Sequence, residues 1–281
     1  MSYQKNKAKE WQGRIAQARM DRKNYPAGPA AGPEIWRLYK KYFAQALRGK
    51  RKAKVLVLGA TPEYRDYALG LGAMVVTVDF SMEMIWKMSQ AMKHKNHPNE
   101  ILVRGNWLNL QYLQENYFDI AVGCGITNNL LPGNHDRFFR GVSRVLKKGG
   151  HILLHDAVIL PTKKVRPLSE YLDDYKNGKL HWFDLFMDAR FYSDVSKKYQ
   201  PRKYVCDMEK YGNALAKYYP AMPKELIVNL EAYRGKITHT LLPKAMFEKI
   251  MSNYFTLLPT QKARDYRFCD FIYHILGKVK K

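Results

Sequence analysis

The segment VLVLGATPEYRDYALGLGAMVVTVDFS (residues 55–81) limits the possible folds more than any other part of the chain. A continuous apolar run ends at Gly59, a tight turn follows, and Thr61-Pro62-Glu63 opens a helix. Thr caps helices well, Pro has the backbone angle that the first helical position needs, and Glu suits the positive end. A second apolar run ends in Asp79, twenty residues after Gly59. Runs without polar alternation are strands buried on both faces, as in a parallel sheet covered by helices. In such a unit the turn lets a ligand approach the backbone, and the carboxylate stands where ribose hydroxyls can be hydrogen-bonded.

The rhythm continues downstream. KVLVLGA (54–60), AMVVTVDF (73–80), EILVRG (100–105), YFDIAVGCG (117–125) and GHILLHDAVI (150–159) predict five strands. Helical spacing over about 62–70, 82–93 and 134–147 predicts their connections, and KKGG (147–150) reads as a basic last turn with a glycine stop. The alternation predicts an α/β, doubly wound parallel sheet. Before it come a basic helix over 4–23, a Pro/Gly/Ala linker over 24–34, and an amphipathic helix over 34–48. That last helix puts Ile35, Leu38, Tyr39, Tyr42, Phe43 and Leu47 on one face. After residue 160 the chain becomes rich in Tyr, Asp and Lys with helical spacing to about 235. PKAMFEKIM (243–251) then starts a helix with proline, and YFTLLPTQ and FCDFIYHILGKV read as closing strands.

With these pieces in view, residues 50–160 resemble the class I S-adenosylmethionine (SAM) dependent methyltransferases. FDIAVGCG and RVLKKGGHILL look like that family's fourth strand and its helix–turn–fifth strand, and the last two strands look like the reversed pair that closes its sheet. LGATPE and GITNNLLP are similar to a bacterial subset of the family. The resemblance implies a Rossmann-like seven-stranded methyltransferase sheet with an N-terminal helical extension and a helical insertion after strand five. Residues 1–50 would be the basic extension, 51–160 the SAM-binding core, 161–240 the insertion acting as a lid, and 241–281 the closing helix and strands. It implies SAM as cofactor, held across Gly59, Ala60, Thr61, Glu63, Asp79, Phe80, Ser81, Asn106, Trp107, Gly123, Cys124 and Gly125.

The chain departs from the family pattern in places. The usual glycine-rich turn keeps only Gly59, and Val57 stands where an acid is common. Glu63 either takes over contact with the ligand's ammonium group or is an ordinary helix-start acid. Asn106 replaces a common Asp and can still accept a hydrogen bond from an adenine amine. Trp107 either packs on the adenine or fills core. NAD is the competing ligand for this motif, but a single-glycine turn offers less room for a pyrophosphate.

Methyl transfer depends on alignment more than on acid–base help, so no obligatory catalytic motif exists to be found. His155 and Asp156, at the end of the fifth strand, are the candidates for a catalytic base; the alternative is a polar strand end. The Asn/Asp-Pro-Pro-aromatic tetrad of enzymes that methylate base amines is absent from GCGITNNL. Cys124 lacks the adjoining proline expected of a pyrimidine-methylating nucleophile and reads as an inert thiol. No Cys/His cluster predicts a metal.

The formal net charge is +23. Residues 1–54 hold 15 Lys/Arg against 3 Asp/Glu, whereas residues 55–160 hold 10 against 9. The basic excess lies outside the core, which suits a polyanion track or a solvated surface. The methyl acceptor is therefore either a small or peptide-like molecule under the insertion or an RNA on the basic arm. A non-catalytic nucleic-acid binder is a third reading. No apolar run reaches the ~18 residues of a membrane helix, the N-terminus has no secretory h-region, and the three cysteines lie far apart, so a cytoplasmic protein is expected. The helix over 34–48 is expected to cover the ligand cleft, the alternative being the back of the sheet or a dimer contact. The sequence leaves the oligomeric state open.

Overall fold

A computed structural model of the protein describes residues 32–197, 204–233, 238–265 and 269–280. The basic helix expected over 4–23 and most of the following linker lie outside these residues. The five expected core strands form: β1 (Lys54–Leu58), β2 (Met74–Asp79), β3 (Glu100–Arg104), β4 (Phe118–Cys124) and β5 (Leu146–Ala157). They are joined by α2 (Pro62–Gly70), α3 (Met82–Gln90) and α4 (His135–Val145). With β8 (Phe255–Leu258) and β9 (Ile272–Val279) they make one seven-stranded sheet in the order β3-β2-β1-β4-β5-β9-β8. The first five strands run parallel. β9 pairs antiparallel with both β5 and β8, so it alone runs against the rest. This is the Rossmann-like methyltransferase sheet.

Strand periodicity divides the core in two. Leu56, Leu58, Val76, Val78, Ile152 and Leu154 face one layer, which continues through α4 and the insertion. Val55, Val57, Val75, Ile120, Val122 and Leu153 face the other, which contains α2 and the N-terminal helix α1 (Pro33–Ala46). α1 begins with proline and carries Glu34 in its first turn. Its buried stripe lies flat on the sheet: Tyr39 stacks on Tyr64 of α2 at 4.1 Å, and Tyr42 meets the His274 ring of β9 at 5.8 Å. The helix thus covers a sheet face beside α2 and not the ligand cleft, because α2 alone leaves the β5–β9 part of that apolar face uncovered.

The KKGG expectation is corrected. α4 ends at Val145, and Leu146–Gly150 already belong to β5. Leu146 pairs with Phe118 and His151 with Ile120, the register shifting between them, and Gly149 has a φ of +71°. The glycines therefore build a β-bulge, where one strand carries extra residues, in place of a helix cap.

The insertion after β5 contains α5 (Leu168–Lys176), α6 (Trp182–Tyr192), α7 (Asp194–Lys197), α8 (Met208–Leu215) and α9 (Lys224–Tyr233). α6 is buried around most of its circumference, as a central helix must be. Two short strands not anticipated from the sequence, β6 (Val205–Asp207) and β7 (Thr238–Thr240), pair antiparallel within it. α10 (Lys244–Ser252) leads back to β8.

Candidate functional site

Ligands of open α/β sheets bind beyond the carboxyl ends of the strands, where the strand order reverses. Here that point lies between β1 and β4. A cleft of about 590 Å³, open to solvent, occupies it. Gly59, Ala60 and Thr61 come from the β1–α2 turn, Asp79 and Phe80 from the end of β2, and Met84 and Met88 from α3. Trp107, Cys124, Ile126 and Asn129 complete the lining.

Gly59 is the floor. Its φ is +83°, and a Cβ there would stand 3.1 Å from Ile126 Cδ1, 3.8 Å from Asp79 Oδ2 and 3.9 Å from Trp107 Cζ2. Only glycine fits that conformation without strain, and only glycine leaves the floor open. Asp79 Oδ1 accepts the Ser81 N–H at 2.8 Å, and the Ser81 hydroxyl accepts the Met84 N–H, capping α3. The carboxylate is thereby held at the cleft edge. Trp107 donates from Nε1 to the Val78 carbonyl at 2.8 Å, and its ring lies 4.9 Å from that of Phe80. The two aromatics and the two methionines give one side of the cleft an apolar wall.

Of the residues expected to hold a cofactor, Gly59, Ala60, Thr61, Asp79, Phe80, Trp107 and Cys124 line this cleft. Ser81, Asn106, Gly123 and Gly125 shape it from behind. The Asn106 side-chain oxygen accepts the Leu108 N–H at 2.8 Å, which fixes the β3 turn. A Cβ on Gly123 would meet Ile126 Cγ1 at 2.4 Å, so glycine lets Ile126 lie against the β4 end. Gly125 has a φ of +66° and donates to the His155 carbonyl at 3.0 Å. Glu63 sits in the first turn of α2 outside the lining. Sequence reasoning missed Met84, Met88, Ile126 and Asn129. The two methionines carried a signal: spacing of i, i+4 on the helix that follows Asp79.

His155 and Asp156 are both buried, at 3% and 1% exposure, and neither lines the cleft. His155 lies behind Cys124, its Nδ1 3.6 Å from Cys124 Sγ and its ring 4.8 Å from His274. Burial pushes its pKa down to about 4; burial and then the neighbouring His155 push His274 well down too. Asp156 points to the opposite sheet face. It accepts the Ile126 N–H at 3.0 Å, the Thr127 N–H at 2.8 Å and the Thr127 hydroxyl at 2.5 Å. Burial raises its pKa, against the pull of these donors. The next residues of the turn extend the tie. Asn128 donates from Nδ2 to the carbonyls of Ala157 and Thr240 and accepts the Ala157 N–H, while Asn129 donates to the Gly125 carbonyl. The GITNN sequence is therefore a hub joining β4, β5 and β7. Among the described residues no group of three His, Cys, Asp or Glu side chains could hold a metal ion, and no helix is long and apolar enough to cross a membrane.

The strand order, the glycine floor and the carboxylate at the end of β2 are those of the class I SAM-dependent methyltransferase fold. Residues 58–154 match the family model described as "Methyltransferase domain", so the chain carries that domain, works as a SAM-dependent methyltransferase and takes SAM as cofactor. No curated protein matches the chain. Solved structures do. A Rhodobacter sphaeroides protein provisionally described as a Zn-dependent alcohol dehydrogenase is 16% identical, with a TM-score of 0.59 over 97% of this chain and 96% of its own. A Listeria monocytogenes protein provisionally described as a SAM-dependent methyltransferase is 13% identical, TM-score 0.52, over 88% and 99%. A SAM-dependent methyltransferase from Mesorhizobium loti is 12% identical, TM-score 0.52, over 90% and 100%. At such identities the likeness speaks for the fold.

Proposed function

We propose that SAM lies across the Gly59–Asn129 cleft and that its methyl group passes to a small or peptide-like acceptor enclosed by the insertion over residues 161–240. The observation that carries the cofactor part is the placing of Asp79 Oδ2 3.8 Å from where a Cβ on Gly59 would stand. One ligand can touch the turn backbone and reach that carboxylate at once. Asp79 suits ribose hydroxyls, the wall of Phe80, Met84, Met88 and Trp107 suits the adenine, and the Gly59–Thr61 backbone suits close approach of the amino-acid part. Bound SAM supplies an activated methyl group. The chain's part is to hold the acceptor in line and to keep water away. His155 and Asp156 take no proton-transfer role in this reading: the first is kept neutral behind Cys124, and the second anchors the turn.

The acceptor reading rests on where the basic residues lie. Arg48, Lys50, Arg51 and Lys52 are exposed, but they precede β1 and so sit at the amino ends of the strands, opposite the cleft. A polyanion bound there would lie away from the transferred methyl, which favours a small acceptor over RNA. Cys124, Cys206 and Cys269 are all thiols, none in a disulfide, which suits a cytoplasmic setting. The test pairs calorimetry with labelling. S-adenosylhomocysteine should bind, and Asp79→Ala should weaken it by about 1–3 kcal/mol, the scale of a hydrogen bond to a charged group. With methyl-labelled SAM and fractionated cell extract, label should enter the low-mass fraction; label entering RNA would refute the acceptor reading.

A further inference from the structure

β3 forms one edge of the sheet, and exposed apolar side chains gather around it. The connection from β3 to β4, residues 105–117, holds no helix or strand. No crossover helix therefore covers the sheet face that carries Ile101 and Val103, and Ile101 is 51% exposed. Tyr112, 49% exposed, lies on the same face: its hydroxyl occupies the space where a Cβ on Gly105 would stand. On the other face Leu102 packs against Met84, Ile85 and Met88 of α3, and Trp86 of that helix is 55% exposed. Edge strands are ordinarily blunted by lysine, proline or a bulge. β3 has none of these, and its pairing with β2 runs from Glu100 to Arg104 without a register shift.

Two hydrogen bonds fix which way the backbone of this edge faces. The Val75 N–H donates to the Asn99 carbonyl at 2.8 Å, and the Gly105 N–H donates to the Asp79 carbonyl at 2.9 Å. In a parallel pair the odd-numbered residues of β3 therefore serve β2. Leu102 and Arg104 turn their N–H groups to the open edge, as do Glu100 and Leu102 their carbonyls. The Glu100 N–H is taken by the His97 carbonyl at 3.0 Å. The strand is held in place for pairing. The Glu100 carboxylate accepts Arg65 Nε at 2.6 Å and the Thr77 hydroxyl at 2.8 Å, and Arg65 is fully buried. Such preorganisation lowers the cost of association.

We infer that this edge is a dimer interface, on which β3 of a second copy pairs antiparallel about a twofold axis at Leu102. The strand is complementary to itself. Each Leu102 N–H donates to the partner's Leu102 carbonyl, and each Arg104 N–H to the partner's Glu100 carbonyl, so every outward donor of the strand meets an acceptor. Ile101 stands opposite the partner's Val103. The charged positions, Glu100 and Arg104, stand opposite each other and never like against like. The surroundings are balanced as well: on α3, Glu83 pairs with Lys87 at 2.7 Å. The basic excess lies in residues 1–54, with 15 Lys/Arg against 3 Asp/Glu. Two copies of a chain of charge +23 therefore repel least here. Antiparallel pairing points the carboxyl ends of the two sheets in opposite directions, so both cofactor clefts stay open.

Sedimentation velocity of the full-length chain over a concentration series should show a reversible species of twice the chain mass, with a dissociation constant on the order of micromolar, as for a small interface. Ile101→Lys places two charges in the interface and should weaken dimerisation at least about 100-fold, roughly tenfold for each copy. Its affinity for S-adenosylhomocysteine should stay unchanged. Arg104→Pro deletes two ladder hydrogen bonds, keeps the apolar contacts, and should weaken the dimer about tenfold. Met246→Lys, at an exposed position on the helix before the far edge strand β8, should leave it intact. Should the β3 variants not fold, hydrogen exchange on the unaltered chain decides: the Leu102 and Arg104 amides should be protected only at concentrations where the dimer forms. A monomer across the whole series, a dimer that Ile101→Lys leaves intact, or protection of those two amides independent of concentration would each overturn the inference. In the last case part of the same chain covers the edge.

Discussion

Replacing Gly59 by alanine tests the floor of the cleft, and the structure allows its two effects to be separated. A φ of +83° is left-handed backbone, where a side chain costs about 1–2 kcal/mol. The same cost applies at Gly72, whose φ is +73° but whose Cβ would meet nothing within 4 Å. Gly72→Ala is thus the control for strain alone. For a chain of this size either variant should lower the melting temperature by roughly 2–8 °C. Only Gly59→Ala puts a methyl 3.1 Å from Ile126 and under 4 Å from Asp79 and Trp107. A ligand resting on the turn is lifted away from Asp79 and loses a hydrogen bond to a charged group, worth roughly a 10- to 100-fold fall in affinity. Calorimetry with S-adenosylhomocysteine reads that fall, and scanning calorimetry reads the strain. If Gly59→Ala binds as tightly as Gly72→Ala, Gly59 is not the floor of a cofactor site.

Two further outcomes follow from the groups behind the cleft. Asp156→Asn leaves one of two buried N–H donors facing an amide N–H, so it should lower stability by about 1–3 kcal/mol without changing the pH profile of the remaining methyl transfer; lost activity at unchanged stability would instead mark Asp156 as a base. His155, held neutral with a pKa near 4 against an ordinary 6.5, makes the fold lose stability as pH falls from about 6.5 to 4, because only the unfolded chain takes up the proton in that window. The loss is about 3 kcal/mol at most. His155→Gln should remove it. Urea unfolding at pH 7 and pH 4.5 reads the difference between the two proteins, in which contributions shared by both, such as the raised Asp156, cancel; parallel pH curves would refute it.

The sheet could be read from the sequence because β1, β2 and β4 are buried on both faces, which leaves apolar runs such as VLVL and IAV. The glycine turn and Asp79 were legible for the same reason: a tight turn after a buried strand admits few residue types. The opposite cleft wall was harder. Ile126 and Asn129 reach it only because Asp156, thirty residues on, pins the turn, and a pairing of that range leaves no local periodicity. β6 and β7 are three residues each and lie thirty apart, so their pairing carries no sequence signal. His155 and Asp156 were placed correctly at a strand end near the site. What composition could not show is that consecutive strand residues face opposite layers, which sends one toward α1 and the other toward the turn.

Asn128 also bears on how firmly the insertion is tied to the core. Its amide spends both ends on separate elements, donating to Ala157 and Thr240 and accepting from Ala157. A hinge that swung β7 away from the 126–129 turn would leave a buried donor and acceptor unmet, at about 1–3 kcal/mol each. Asn128 therefore ties the β6–β7 pair to the end of β5.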